Sequence, residues 1–248
     1  MFPDGLDEID HALPAVMDVI AKTARWVHPA TFRALPVWCP DTARGMPRFN
    51  AAWTERAVSQ KGVAKVEENI RAGRALFDAL GVVGSKPKNW TVCHIWGYDD
   101  DGFVGRSNVV QDPRFYSCVA NMVWLPTPLK GFTDAVPRIK FALRLAAFRQ
   151  FGWTCEHPQT LAEGERVRAA TDPDFFPEAW KLPSGALLPG TSPFNDLIQS
   201  RVKKRKAQIR ARMDADHPLF DRALVRSVLD FWNIDLARNE QPQTRDAA

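Results

Sequence analysis

The middle of the chain holds a histidine, an asparagine and a lysine whose types and spacing could act together on a phosphate group. His94 ends a run rich in β-branched and aromatic residues, Asn121 follows 27 residues later, and Lys130 comes nine residues after that. A neutral imidazole, with an ordinary pKa of about 6.5, can take a proton from water near neutral pH. An amide oxygen can bind a hard cation such as Mg²⁺ or Mn²⁺, or hold the backbone by hydrogen bonds. A lysine ammonium can hold a phosphate and the charge that develops on it.

These residues lie in the block CHIWG…ANMVWLP…LKGFTD…AAFRQFGW, which resembles the HNH (ββα-metal, His-Me finger) endonuclease family over residues 90–153. Members of that family have a hairpin, then an asparagine followed by an apolar residue, and then a short helix. The resemblance implies a metal-dependent endonuclease that hydrolyses DNA, and it suits a role in restriction or phage defence. It implies that His94 is the general base, that Asn121 binds the metal or orients the backbone, and that Lys130 contacts the phosphate.

Two positions depart from the pattern of that family. Cys93 stands where the family usually has an acidic metal ligand, and Lys130 stands where it usually has a third His or Asn. The predicted Mg²⁺ or Mn²⁺ site is therefore short of ligands. Either Asn121 is the sole protein ligand of the metal ion, or Asp112 or Asp134 completes its coordination shell. A degenerate, inactive nuclease core is the alternative.

Each of these residues also has a purely structural interpretation. His94, between cysteine and apolar neighbours, is compatible with a buried histidine whose hydrogen bonds are satisfied. Asn121 is compatible with a simple cap. The acidic run 99–101 is typical of a solvated turn.

The net charge of +4 is concentrated in one segment near the C-terminus. Residues 201–212 hold seven cations and no acid, so the rest of the chain is mildly acidic. The residues predicted to contact nucleic-acid phosphates are Arg201, Lys203, Lys204, Arg205, Lys206, Arg210 and Arg212. The expected partner is DNA, with RNA and a homodimer left open. The alternative interpretation is an exposed amphipathic helix over which the basic residues fan out without a partner.

A second functional hypothesis follows from the same segment. The chain would be a non-catalytic nucleic-acid-binding protein that uses the basic 201–212 helix and keeps the hairpin core for structure only. A third, weaker interpretation pairs the basic helix with an acidic protein surface.

The overall composition is that of a folded globular protein. Hydrophobic residues make up 45% of the 248 residues and charged residues 25%, which excludes a disordered chain. No run of 18 apolar residues occurs, and the start MFPDGLDEID is acidic, so we expect no membrane span, no secretion signal and a cytoplasmic location.

The four cysteines are too scattered for a disulfide framework and form no CxxC pair. We expect reduced, mostly buried thiols. A structural zinc site built from Cys118, Cys155 and His157 is the alternative.

The elements that must position these residues belong to an α+β fold, mainly helical with a small β-hairpin/helix (ββα-metal-like) core. Three regions are predicted: an N-terminal helical region 1–86, an HNH-like core 87–153, and a Pro-rich connector with basic C-terminal helices 154–248. Apolar spacing predicts a β-hairpin over 88–110 and helices over 6–27, 63–80, 138–151, from about 193, and 218–236.

Overall fold

Helices make up most of the fold and pack around one short sheet. The computed structural model describes residues 4–50, 53–97, 108–183 and 186–236. The helices are, in chain order, α1 (Gly5–Thr23), α2 (Pro29–Ala34), α3 (Ile70–Ala79), α4 (Pro113–Tyr116), α5 (Lys130–Ala135), α6 (Pro137–Phe151), α7 (Leu161–Ala169), α8 (Asp196–Asp214) and α9 (Arg222–Phe231). The expectation of a mainly helical chain with a small sheet is confirmed.

The sheet pairs two strands that are far apart in the sequence. Strand β1 (Trp90–His94) runs antiparallel to β2 (Met122–Pro126), with His94 opposite Met122. The observed partner of β1 is the apolar run MVWLP, whose first four residues are all buried, and the hairpin predicted over 88–110 falls in large part outside the described residues. Of the expected second strand, residues 108–110 are described and belong to a loop and a 3₁₀ turn, while the acidic turn 99–101 lies outside the described residues.

Local signals set the bounds of α6 as the sequence predicts. Pro137 occupies the first turn, where its missing N–H costs no helical hydrogen bond. Gly152 ends the helix in the left-handed conformation, with φ of 64°, and its N–H bonds to the carbonyl of Phe148 at 2.7 Å.

The other helices differ from their predicted bounds at the ends. Helix α1 continues through Pro14 without a break. Helix α8 begins at Asp196, three residues after the predicted start near 193, because the Asn195 side chain caps it by accepting a 3.2 Å hydrogen bond from the N–H of Ile198.

The apolar core joins all three predicted regions of the chain. Leu13 of α1, Leu143 of α6 and Val228 of α9 belong to the same buried cluster. The described parts of the three regions therefore share one core, and residues of both strands belong to it. In the described part of the chain, no helix combines the length and the apolar character needed to cross a membrane.

Candidate functional site

His94 is buried at the end of β1. Its Nε2 lies 2.8 Å from the carbonyl oxygen of Tyr116, and the two rings stack at 5.7 Å. Because a carbonyl oxygen can only accept, Nε2 carries the proton and Nδ1 the lone pair. Burial lowers the pKa of His94 from 6.5 to about 4, and the nearby charges of Lys140, Arg44 and Lys130 act in the same direction. The imidazole is therefore neutral at pH 7 and a weak base.

Asn121 fastens the loop after β1 to the segment that leads into β2. Its side chain is fully buried; Oδ1 accepts from the N–H of Trp96 at 2.7 Å, and Nδ2 donates to the carbonyls of Trp96 and Phe115 at 3.2 and 3.1 Å. The N–H of Ile95 in turn donates to the Asn121 carbonyl at 2.9 Å. This pattern favours the orienting role predicted for Asn121 over metal coordination, since the amide oxygen already accepts a hydrogen bond.

The other predicted ligands are engaged elsewhere. Lys130 and Asp134 form an ion pair one turn apart on the surface of α5. Asp112 caps α4 by accepting from the N–H of Arg114 at 2.9 Å, and its carboxylate also pairs with the Arg114 guanidinium at 2.6 Å. Asp112 and Asp134 are thus each paired with a cation, and no group of three His, Cys, Asp or Glu among the described residues could hold a metal ion.

Cys93, which takes the place of an acidic ligand, lies on the opposite face of β1 from His94. Its Sγ contacts Thr133 Oγ1 of α5 at 3.2 Å. The contact attaches α5 to the strand, and the alternation of side chains along a strand explains why Cys93 and His94 do not meet.

The residues of the alternative zinc site do not form a ligand set either. All four cysteines are buried free thiols, and burial raises the pKa of Cys118 and that of Cys155, the latter to about 12. His157 uses Nδ1 to accept the N–H of Gln159 at 3.2 Å, and it lines a cleft of about 360 Å³ together with Asp112.

The basic segment lies on α8, and most of its cations turn toward the body of the protein. Arg201 donates to the carbonyls of Val82 and Asp78 at 2.8 and 3.3 Å. Arg205 donates to the carbonyl of Trp38. These groups include two carbonyls at and just beyond the C-terminal end of α3, where a cation is favoured.

The remaining cations of α8 fall into two groups. Lys206 is buried and donates to the Asp235 carbonyl at 3.3 Å, while Arg210 and Arg212 bond to the Leu236 carbonyl and to the Asp41 carboxylate. Lys203 and Lys204 are exposed. The expectation that the basic residues fan out without a partner is therefore wrong for five of the seven, because the carbonyls and Asp41 hold them.

Helices α3 and α8 enclose a cation-lined cleft of about 390 Å³, here called the α3–α8 cleft. Its lining consists of Trp38, Cys39, Arg74, Ala75, Asp78, Arg201, Lys204, Arg205 and Gln208. Four of these residues are cations, whereas Asp78 is the sole carboxylate and is paired with Arg74 at 3.2 Å. The contribution of α3 was missed from sequence, since only the fold brings Arg74 beside the basic segment.

The chain matches no protein-family model, no curated protein and no solved structure with which it was compared.

Proposed function

We propose that the protein binds nucleic acid without cutting it, through the α3–α8 cleft and the exposed lysines beside it. The observation that carries the proposal is the cleft itself, in which four cations face one carboxylate. A groove lined by cations is the electrostatic feature that a phosphate backbone requires.

Two of the four cations of the cleft are held in place without being neutralised. Arg201 and Arg205 bond to backbone carbonyls, which carry no net charge. Their guanidinium groups therefore keep their full charge, and little side-chain freedom remains to be lost when a phosphate binds. Arginine in such a fixed position can hold a phosphate through two parallel hydrogen bonds.

The surroundings of the cleft add to its positive potential. Asp41 is buried and pairs with two arginines, Arg71 at 2.8 Å and Arg212 at 3.2 Å, through the same oxygen. The carboxylate of Glu67 also acts on Arg71, so Asp41 and Glu67 together balance these two arginines and leave the cations of the cleft uncompensated by them. Lys203, exposed on α8 next to the cleft, extends this positive surface along the helix.

The sheet region supports a structural role in this proposal. The amide of Asn121 makes three hydrogen bonds to backbone groups, and His94 is buried and bonded to Tyr116. The residues that would bind Mg²⁺ or Mn²⁺ do not fit a metal ion, since Asp134 is paired with Lys130 and Asp112 with Arg114. No metal-dependent step follows from them.

The experiment that tests the proposal is a binding titration with fluorescent duplex and single-stranded DNA at several salt concentrations. We expect the logarithm of the association constant to fall linearly with the logarithm of salt concentration, because each phosphate contact releases a counterion. A plasmid incubated with the protein and Mg²⁺ or Mn²⁺ should stay intact. Binding that does not change with salt would contradict the proposal.

An HNH-like endonuclease is the second candidate, and one observation favours it. The antiparallel pair of β1 and β2 is followed by α5, with His94 at the end of β1 and Lys130 at the start of α5, although α4 lies between the two strands. The two paired strands and the helix after them support the ββα arrangement that the sequence resemblance implies. Nicking of a plasmid in Mg²⁺ or Mn²⁺ that disappears in His94→Ala would favour this candidate over the first.

A further inference from the structure

A short β-hairpin precedes α3 and is here called the 56–66 hairpin. Its two arms are antiparallel, and the N–H of Ser59 donates to the carbonyl of Val63 at 2.8 Å. The turn between the arms closes at Gly62, whose φ of 74° favours glycine. Residues 63–66, which the apolar spacing predicted to begin a helix, therefore form the second arm of a hairpin.

The base of the hairpin is attached to the body of the protein. Arg48 pairs with both arms, since its N–H donates to the Lys65 carbonyl at 3.0 Å and its carbonyl accepts from the N–H of Ala57 at 2.9 Å. Trp53, which lies just before the first arm, is buried in a cluster with Ile209 of α8. The position of the hairpin relative to α8 is thus fixed at its base.

The far end of the hairpin presents cations and apolar side chains to solvent. Residues 60–66 are all exposed, and the hairpin sequence contains no acid. Its exposed cations are Arg56, Lys61 and Lys65. Val58 and Val63 are 56% and 64% exposed among these cations. This surface is complementary to an anionic partner that also offers apolar groups.

The base of the hairpin lies at one end of the α3–α8 cleft. Arg201, in the first half of α8, donates to the carbonyl of Asp78 near the end of α3. Arg212, near the end of α8, and Arg71, at the start of α3, bind the same carboxylate, and they lie 5.9 and 5.0 Å from the ring of Trp53. The two helices are therefore antiparallel, and the hairpin adjoins the end of the cleft where α3 begins.

We propose that the 56–66 hairpin enters the major groove of duplex DNA while the α3–α8 cleft holds the phosphate backbone beside that groove. This inference rests on the proposed function and names the class of nucleic acid. The major groove of B-form DNA admits a two-stranded β-ribbon, whereas that of duplex RNA is too narrow for side chains to read. A single strand has no groove. The cations of the hairpin can bind phosphates or guanine edges, and its exposed valines can contact thymine methyl groups.

The test measures the affinity of the full chain for duplex DNA, single-stranded DNA and duplex RNA of one sequence at several salt concentrations. The wild type should bind duplex DNA at least about fivefold more tightly than the other two, because only duplex DNA offers the groove contacts. In the hairpin variant Arg56→Gln/Lys61→Gln/Lys65→Gln, most of this preference should be lost. The slope of log association constant against log salt for duplex DNA should also decrease by about 2.

A matched control removes the same charge outside the hairpin. Lys22→Gln/Lys86→Gln/Lys88→Gln changes three exposed lysines and should keep both the preference for duplex DNA and nearly the full slope. Because every replaced side chain is exposed, the Tm of both variants should stay within about 3 °C of the wild type.

The outcomes separate this proposal from the proposed function. A wild type that shows no salt-dependent binding of any nucleic acid would overturn both. Binding that is weakened in Arg74→Gln/Lys204→Gln but unchanged in the hairpin variant would overturn only the groove contact and would favour an acidic protein as the partner of the hairpin. A wild type without preference for duplex DNA, or a hairpin variant that loses equal affinity for duplex and single-stranded DNA, would likewise overturn the groove contact alone.

Discussion

The side-chain amide of Asn121 holds both backbone groups of Trp96, accepting its N–H at 2.7 Å and donating to its carbonyl at 3.2 Å. One buried side chain thus replaces a stretch of sheet pairing just beyond β1, where the strand has ended. The indole of Trp96 is buried as well, and the guanidinium of Arg144 lies 5.0 Å above its ring. Trp96, just after β1, is therefore held by Asn121 through its backbone and by Arg144 through its ring.

Replacement of Asn121 by alanine should destabilise the fold by about 2–4 kcal/mol, because it leaves buried backbone groups without partners. The free energy of unfolding in urea measures the loss. Asn108→Ala is the matched control, since Asn108 is exposed, and it should change stability by less than about 0.5 kcal/mol. Equal stability of Asn121→Ala and the wild type would show that the amide does not hold the loop.

The stability of the protein should fall as the pH drops from about 6.5 to about 4. Folding lowers the pKa of His94 to about 4. Between about pH 6.5 and pH 4 the unfolded chain therefore binds a proton at this histidine, whereas the folded chain does not. The expected loss from this group is about 3 kcal/mol. Urea unfolding at a series of pH values measures it. His94→Gln should flatten the profile, whereas His11→Gln, a change at an exposed histidine, should leave it unaltered.

Removal of one partner from the Arg144–Glu163 pair should be strongly destabilising. The two groups lie 2.9 Å apart, and their side chains are 2% and 4% exposed. Glu163→Leu should cost about 3–5 kcal/mol, because the buried guanidinium would lose the carboxylate of Glu163. The double variant Arg144→Met/Glu163→Leu should recover a part of the loss, although the contact of Arg144 with the Ile95 carbonyl is also removed. A single variant as stable as the wild type in urea unfolding would contradict this role.

Local signals predicted the helices better than they predicted the sheet. Pro137 and Gly152 mark the ends of α6 through their own backbone restrictions, so the sequence around them is sufficient. The observed partner of β1 begins 28 residues after β1 ends, and the short-range turn signals within 88–110 do not point to it. Long-range register is decided by which apolar run can be buried, and that is a property of the whole fold.

The cations show the same difference between local and long-range information. A charge run such as 201–212 is compatible with solvent exposure. Arg201 nevertheless donates hydrogen bonds to the carbonyls of Asp78 and Val82, at and just beyond the end of α3, and these residues are distant in sequence. Lys140 lies in a helix whose composition would place a lysine at the surface, and it is buried beside Gly97 instead. In both cases the environment that decides the role of the cation is assembled only by folding.

The most direct test of nucleic-acid binding in the α3–α8 cleft removes two of its exposed cations without disturbing those that hold the helices together. Arg74→Gln/Lys204→Gln should weaken DNA binding at low salt at least tenfold and reduce the slope of log association constant against log salt by about 2. Lys22→Gln/Lys88→Gln removes the same charge from exposed positions outside the lining of the cleft and should retain nearly the full slope. An equal loss of slope in both variants would contradict a defined site in this cleft, and so would an unchanged slope in Arg74→Gln/Lys204→Gln.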